Sequence, residues 1–206
     1  MDPLQIPNVW RAQSMRPTST SIATGYAELD AALGGGWPQP ALIEILTDVY
    51  GIGELQLVLP LLIKLAKRPP QPPLIFWINP PHTPNAVALA QHRLTANQWL
   101  LANTSERDAL WATERAVRSG ACSAVLAWLP AVKSAALRRL KLATTTSSCT
   151  LILYRPRTDA AQPSPASVRV LLTPTKTGLH LELLKIQGRR PGTVVLARTD
   201  SAGVST

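Results

Sequence analysis

The residues closest to a recognisable chemistry lie in a loop that follows a predicted buried strand, Ala41–Leu46. A phosphate-binding loop in this position ends in Gly-Lys-Ser/Thr, where the lysine contacts the β- and γ-phosphates and the hydroxyl binds Mg²⁺. Here the loop contains Gly51 and Gly53, but the next two residues are Glu54 and Leu55. A carboxylate in place of the lysine would repel a nucleotide, and leucine has no atom that binds a cation. We therefore interpret this as a degenerate phosphate loop and predict no cofactor.

The second element expected of a nucleotide hydrolase is an acid at the end of a buried strand, which holds Mg²⁺. The corresponding predicted strand, Ser123–Leu129, contains neither Asp nor Glu. Because two independent catalytic elements are missing, we predict that the protein is not an enzyme. Glu44, on the first strand, is expected to make a structural hydrogen bond, and orientation of a water molecule is the alternative.

No other catalytic or metal-binding pattern is found in the sequence. The three histidines, His82, His92 and His180, are scattered and lack Cys or carboxylate companions at ligand spacing. The serines follow no nucleophile-elbow pattern, and no paired carboxylates flank a plausible cleft. We predict no catalytic residue and no metal, so the candidates for function are surfaces.

The net charge of +9 is distributed unevenly along the 206 residues. Residues 1–120 carry nine Lys or Arg and nine Asp or Glu, whereas residues 121–206 carry twelve and three, which accounts for the whole excess. A one-sided basic surface predicts a polyanion or an acidic protein as partner, and a solubilising role is the alternative.

Two clusters of basic residues are candidate partner- or DNA-binding sites. They are Arg138, Arg139 and Lys141 on one predicted helix face, and Lys185, Arg189 and Arg190 beside Gly188 and Pro191. The glycine and proline predict a loop or edge where guanidinium groups can reach phosphates or carboxylates. No aromatic residues interleave with these charges, which argues against a platform that stacks single-stranded bases.

Short apolar runs of strand length alternate with amphipathic helical patterns in the first three quarters of the chain. Strands are predicted at Ala41–Leu46, Leu74–Ile78, Trp99–Ala102, Ser123–Leu129 and Cys149–Tyr154, and helices from Gly25, at Leu55–Lys67, Asn85–Arg93 and Ser105–Ser119, and from Ser134. Pro60 must bend or start its helix. Three further β-like runs follow, near Val168–Leu172, Leu179–Lys185 and Thr193–Ala197. This order predicts an α/β fold with a mainly parallel sheet flanked by helices and a β-rich C-terminal extension.

The composition, with 46% hydrophobic residues, is typical of one globular domain with tails. We predict a flexible segment over residues 1–21, a core over 22–156, a basic β-rich extension over 157–198 and a disordered tail over 199–206. Trp10, in the first segment, is a possible docking anchor, and packing on its own domain is the alternative.

Cys122 and Cys149 each open a predicted buried strand, which favours free thiols in a reducing cytoplasm. The longest apolar run, Leu55–Ile63, is interrupted by Gln56 and Pro60 and is too short to span a bilayer. The first residues contain no apolar stretch typical of a secretory signal. The sequence therefore predicts a cytoplasmic protein without membrane association.

The segment Thr24–Ile45 resembles the start of a RecA-type ATPase core, with Thr-Gly, a short helix ending in glycines, a turn and a buried strand. Across roughly residues 8–192 the chain resembles the ImuA family, the RecA/SulA-like accessory proteins of bacterial SOS mutagenesis cassettes. The segments behind this resemblance are Val9–Arg11, Thr24–Pro38, Gly51–Leu55, Leu59–Leu62, Trp77–His82, Arg118–Cys122, Ala127–Pro130, Leu137–Leu140, Arg155–Pro156 and Gln162–Pro165.

This resemblance implies a RecA-like three-layer core and a non-catalytic accessory role in damage-induced translesion DNA synthesis. The implied partners are ImuB, a catalytically inactive protein related to Y-family polymerases, and an error-prone DnaE-type polymerase; RecA and DNA are further candidates. The cell-division inhibitor SulA, which blocks assembly of FtsZ, shares the central half from about Glu54 to Pro156. SulA proteins are generally shorter and lack a well-preserved Thr-Gly…Leu-Asp segment and the long C-terminal extension, which favours ImuA.

Overall fold

A computed structural model of the protein describes residues 20–67 and 74–197. Almost all of the predicted N-terminal segment, including Trp10, and the predicted tail over residues 199–206 lie outside the described residues. Within the described ranges, no helix is both long and apolar enough to cross a membrane.

Ten strands and five α-helices make up the described chain. The strands are β1 (Thr20–Ile22), β2 (Trp37–Gln39), β3 (Leu42–Leu46), β4 (Leu74–Ile78), β5 (Trp99–Ala102), β6 (Cys122–Trp128), β7 (Thr150–Arg155), β8 (Val168–Thr175), β9 (Gly178–Ile186) and β10 (Gly192–Ala197). The helices are α1 (Ala27–Leu33), α2 (Leu59–Leu65), α3 (Ala86–Gln91), α4 (Glu106–Arg118) and α5 (Ser134–Thr146). Every predicted strand and helix is present, whereas the β1–β2 pair was not predicted.

Eight of the strands form one sheet in the order β10-β9-β8-β3-β7-β6-β4-β5. Neighbours from β8 to β5 are parallel, and β9 and β10 add two antiparallel strands at one edge. The mainly parallel sheet with a β-rich C-terminal end is therefore confirmed. Because β8 pairs directly with β3, the extension continues the core sheet. β1 and β2 form a separate antiparallel pair.

Helices cover both faces of this sheet, which gives three layers. Residues of α1, α2 and α3 pack in one hydrophobic cluster with alternate sheet residues such as Ile43 and Ile45. Residues of α4 and α5 pack on the opposite face in a second cluster that includes Leu42. The alternation along β3 follows from the two-residue period of a strand, which sends successive side chains to opposite faces.

Proline and glycine set two of the helix boundaries. Pro60 lies in the first turn of α2, where its missing N–H is not needed, so the helix begins there and is shorter than the predicted Leu55–Lys67. Gly34 ends α1 with φ of 82°, a left-handed conformation that glycine adopts without steric cost.

A buried ionic network joins the centre of the sheet to its C-terminal strands. Glu44, which is 0% exposed, lies in β3 between β7 and β8. Its Oε2 lies 2.8 Å from Nε of Arg169, its Oε1 lies 3.5 Å from Nη1 of Arg155, and Ser164 Oγ donates to Oε1 at 2.6 Å. The hydrogen-bonding role predicted for Glu44 is thus confirmed.

A second acid completes the network. Asp159 Oδ2 pairs with Nη2 of Arg155 at 2.8 Å, and Arg169 donates to the carbonyl oxygens of Asp159 and Ala160 at 2.9 and 3.2 Å. Two guanidiniums therefore balance two carboxylates, and they fix the short 3₁₀ helix Arg157–Ala161 against the sheet. A buried ion group of this kind is tolerated only when its charges are matched.

The network predicts that removal of Glu44 lowers the free energy of unfolding far more than removal of Glu114, although each glutamate contacts two arginines. Glu44→Ala leaves the buried guanidinium of Arg169 without a carboxylate partner, while Arg155 keeps Asp159, and it should lower the free energy of unfolding by about 3–5 kcal/mol. Glu114, which pairs with Arg118 and Arg139 at the surface, is the matched control, and Glu114→Ala should cost less than about 1 kcal/mol. Urea denaturation measures both values, and equal losses would contradict the assignment.

Candidate functional site

The loop after β3 brings three consecutive backbone N–H groups to one carboxylate. Gly51, Ile52 and Gly53 donate to the side chain of Glu54 at N···O distances of 3.0, 3.0 and 3.2 Å. Glu54 is only 4% exposed. Convergent N–H groups of this kind form a nest, the geometry with which phosphate loops hold an anion. Here the bound anion is a side chain of the protein itself.

Two glycines allow the loop to take this shape. Gly51 and Gly53 have φ of 78° and 110°, which side-chain-bearing residues rarely adopt. A Cβ at Gly51 would meet no atom within 4 Å, so the backbone conformation, not lack of space, requires glycine there. The sequence predicted that Glu54 would repel a nucleotide, and the structure adds that its carboxylate fills the nest. Leu55 packs, partly buried, against the core.

An aromatic column under the loop ties it to the sheet. The hydroxyl of Tyr154 donates to the carbonyl oxygen of Glu54 at 3.3 Å. Tyr154 stacks on Trp128 with ring centroids 4.4 Å apart, and Trp128 stacks on Trp77 at 6.0 Å. Burial, followed by the negative charge of Glu54, raises the pKa of Tyr154 well above its ordinary value. The loop is therefore anchored to β7 and, through the stacked rings, to β6 and β4.

Two cavities flank this loop. One, of about 260 Å³, lies between the loop and the β8–β9 hairpin, and none of the lining residues within 20–67 and 74–197 carries a formal charge. The other, of about 400 Å³, lies at the carboxyl ends of β3, β4, β6 and β7, where ligands usually bind in sheets of this type. Its charged lining residues are Asp48 and Glu106. Within the described chain neither cavity is lined by Lys or Arg, which a phosphate group would favour.

The basic residues of α5 do not form the single face predicted from the sequence. Arg139 turns to α4, where its Nε lies 3.3 Å from Oε2 of Glu114. Lys141 is half-buried, and its Nζ donates to Ser167 Oγ at 2.5 Å. Positions 139 and 141 lie about 160° apart on a helix with 3.6 residues per turn, so they point to different neighbours. Arg138 stays exposed.

The second basic cluster is also divided by the sheet. Nζ of Lys185 donates to the carbonyl oxygen of Ser164 at 2.7 Å. The guanidinium of Arg189 instead lies against Gly34, at the end of α1 on the opposite face of the sheet. Arg190 is exposed. Residues that are neighbours in the sequence are thus separated in the fold, whereas Lys141 and Lys185 from different clusters contact the same segment. Burial, and then the charge of Lys185, lowers the pKa of Lys141.

Sequence reasoning missed one exposed aromatic residue. Trp111 on α4 is 65% exposed, and the guanidinium carbon of Arg115 lies 5.9 Å from its ring centroid. The helical spacing of Arg107, Trp111 and Arg115, each four residues apart, was the available signal. This stripe places an aromatic ring between two cations on the surface of α4.

Cys122 and Cys149 are free and buried, as predicted, and burial raises the pKa of both thiols. Over residues 20–67 and 74–197, no group of three or more His, Cys, Asp or Glu residues is placed to hold a metal ion.

Comparison with known proteins gives no assignment, because the chain matches no protein-family model and no curated protein.

Occupation of the nest by Glu54 predicts chemical rescue of one variant. Glu54→Ala leaves three N–H donors without their acceptor and should lower the free energy of unfolding by about 2 kcal/mol. Sodium formate should restore part of this stability, because a free carboxylate can enter the vacated nest. Thermal unfolding in formate and in chloride of equal ionic strength measures the effect.

The wild type and Glu106→Ala are the controls for this rescue. Neither should gain stability from formate beyond the gain in chloride, because the wild-type nest is full and Glu106 lies outside it. Wild type should also bind no ATP–Mg²⁺ at millimolar nucleotide in calorimetric titration. Equal stabilisation of all three proteins, or micromolar nucleotide binding, would contradict the assignment.

The raised pKa of Tyr154 predicts how stability depends on alkaline pH. Above about pH 10 a tyrosine of the unfolded chain loses its proton, while Tyr154 keeps it in the folded protein. The unfolded state then binds fewer protons, so the free energy of unfolding falls as pH rises. Tyr154→Phe should reduce the slope of this fall between pH 10 and 11. Urea denaturation across this range measures it, and an unchanged slope would contradict the prediction.

Proposed function

We propose that this protein is a non-catalytic accessory protein of SOS-induced error-prone translesion DNA synthesis, with a RecA-like core. It acts with an ImuB-like polymerase-related protein and an error-prone DnaE-type polymerase in the cytoplasm. The observation that carries the proposal is the Glu54 carboxylate in the nest formed by the N–H groups of residues 51–53. A phosphate loop closed by the chain's own anion favours a scaffold role over nucleotide chemistry.

The arrangement at the carboxyl ends of the strands supports the same proposal. In a RecA-like core this edge supplies the lysine for phosphate and the acid for Mg²⁺. Here the described lining of both cavities has no basic residue, and β6 carries no acid. A three-layer α/β fold with a mainly parallel sheet accommodates a RecA-like core.

Exposed side chains are the natural contact points of such an accessory protein. Trp and Arg dominate the energetically important positions of protein interfaces. Trp111 and Arg115 on α4, and Arg138 on α5, are exposed on the side of the sheet opposite the closed loop. We infer that this side of the molecule contacts the partners.

Genetics in the bacterial host tests the proposal against division inhibition. Deletion of the gene should abolish damage-induced mutagenesis, and overexpression should leave cell division normal. The Trp111→Ala and Arg138→Glu variants should each reduce mutagenesis at unchanged protein level, because each removes an exposed contact group. Val87→Ala, which alters an exposed apolar residue on α3, is the matched control and should have no effect.

Two results would contradict the proposal. One is unaltered damage-induced mutagenesis in the deletion strain. The other is filamentation on overexpression that resistant FtsZ variants suppress, which would favour a SulA-like role. The deletion strain could lose damage-induced mutagenesis while both surface variants remain fully active. This result would support the accessory role and show that the contact site lies elsewhere.

A further inference from the structure

Two lysines from distant parts of the chain meet on one short segment between the 3₁₀ helix and β8. Nζ of Lys141, on α5, donates to Ser167 Oγ at 2.5 Å, and Nζ of Lys185, on β9, donates to the carbonyl oxygen of Ser164 at 2.7 Å. Both side chains are half-buried. The four residues Ser164–Ser167 thus position two ammonium groups on the same side of the sheet.

This segment is held rigidly by its own hydrogen bonds. The N–H of Ser167 donates to the carbonyl oxygen of Leu42 at 2.9 Å, and its carbonyl oxygen accepts from the N–H of Gln187 at 2.8 Å. The hydroxyl of Ser164 donates to Glu44 of the buried network. The two ammonium groups are therefore placed by the sheet itself and need little ordering to bind a ligand.

No carboxylate in the described chain neutralises this pair. Neither Lys141 nor Lys185 belongs to any of the ion pairs found in residues 20–67 and 74–197. Glu44, linked to the segment through Ser164, is already matched by Arg155 and Arg169. Burial, and then the charge of Lys185, lowers the pKa of Lys141, as expected for half-buried like charges. An anion held by both ammonium groups would offset this repulsion.

We propose that Lys141 and Lys185 form a binding site for a tetrahedral oxyanion of the phosphate class. Each ammonium carries three N–H donors and uses one on the Ser164–Ser167 segment, so donors from both groups remain for one ligand. A phosphate supplies several acceptor oxygens and negative charge, which would offset the repulsion between the lysines. This site is separate from the closed loop and does not rest on the proposed accessory function.

Two kinds of ligand carry a phosphate group that fits this site. A free phosphate or phosphomonoester would bind as a small ligand, whereas a phosphodiester would belong to a nucleic-acid backbone. Contacts of lysine with backbone phosphates carry no sequence information and position a protein on its nucleic acid.

Titration of the full chain with inorganic phosphate tests the site. Ionic strength is kept constant with chloride, and the side-chain signals of the lysines are followed by NMR. Saturable shifts are expected for Lys141 and Lys185, and the Lys141→Met and Lys185→Met variants should each weaken binding by about tenfold, equivalent to about 1.4 kcal/mol. The matched control is Lys176→Met in the β8–β9 turn, which removes the same charge from an exposed position and should change affinity less than about twofold.

Three results would overturn the proposal: no saturable shift of Lys141 and Lys185 in the wild type, saturable shifts confined to other lysines, or equal weakening in the Lys176 variant. The wild-type titration decides the question even where a methionine variant fails to fold. A single-stranded oligonucleotide of mixed sequence then distinguishes the sources. Displacement of phosphate from the two lysines supports a nucleic-acid backbone as ligand, and undisturbed phosphate binding supports a small phosphate.

Discussion

Charge neutrality around Glu44 is the constraint on which the centre of the molecule depends. A carboxylate buried in the middle of β3 is tolerated only with matched cations, and the strands on either side supply them as Arg155 and Arg169. Asp159 then balances the second guanidinium. The network therefore couples the parallel core to the C-terminal strands, because β8 cannot leave β3 without exposing an unpaired charge to the interior.

A second buried acid on the same strand–loop unit is stabilised in a different way. Within residues 20–67 and 74–197 Glu54 forms no ion pair, and it instead accepts three backbone N–H groups. Dipoles of the loop backbone thus replace the arginines that Glu44 uses. The half-buried lysines of α5 and β9 are the opposite case, since neither of these two cations pairs with an acid of the described residues. The charges of Glu44 and Glu54 are thus compensated by groups of the protein itself. The charges of the two lysines are not compensated in this way, and a bound anion could neutralise them.

Much of the fold follows from local patterns. Three of the five apolar runs, those of β3, β6 and β7, are buried along their whole length, as expected for parallel strands covered on both faces. Pro60 fixed the start of α2 through its missing N–H. The acid at position 54 was visible in the sequence, whereas its contacts with three backbone N–H groups were not. The network was not visible either, since Arg155 and Arg169 lie 111 and 125 residues from Glu44. The sequence also could not predict that Lys141 and Lys185 contact the same segment, because this depends on how α5 and β9 pack around residues 164–167.

The way in which Glu54 fills its own loop has an evolutionary consequence. A phosphate loop at this position would need a lysine at position 54 and a hydroxyl at position 55. The lysine alone would place an ammonium against three N–H donors, and the hydroxyl alone would put a polar group into the packing around Leu55. Each single step lowers stability before any ligand is gained, and most proteins have little stability to spare. Because each single substitution lowers stability, the two changes would have to occur together for such a loop to arise here.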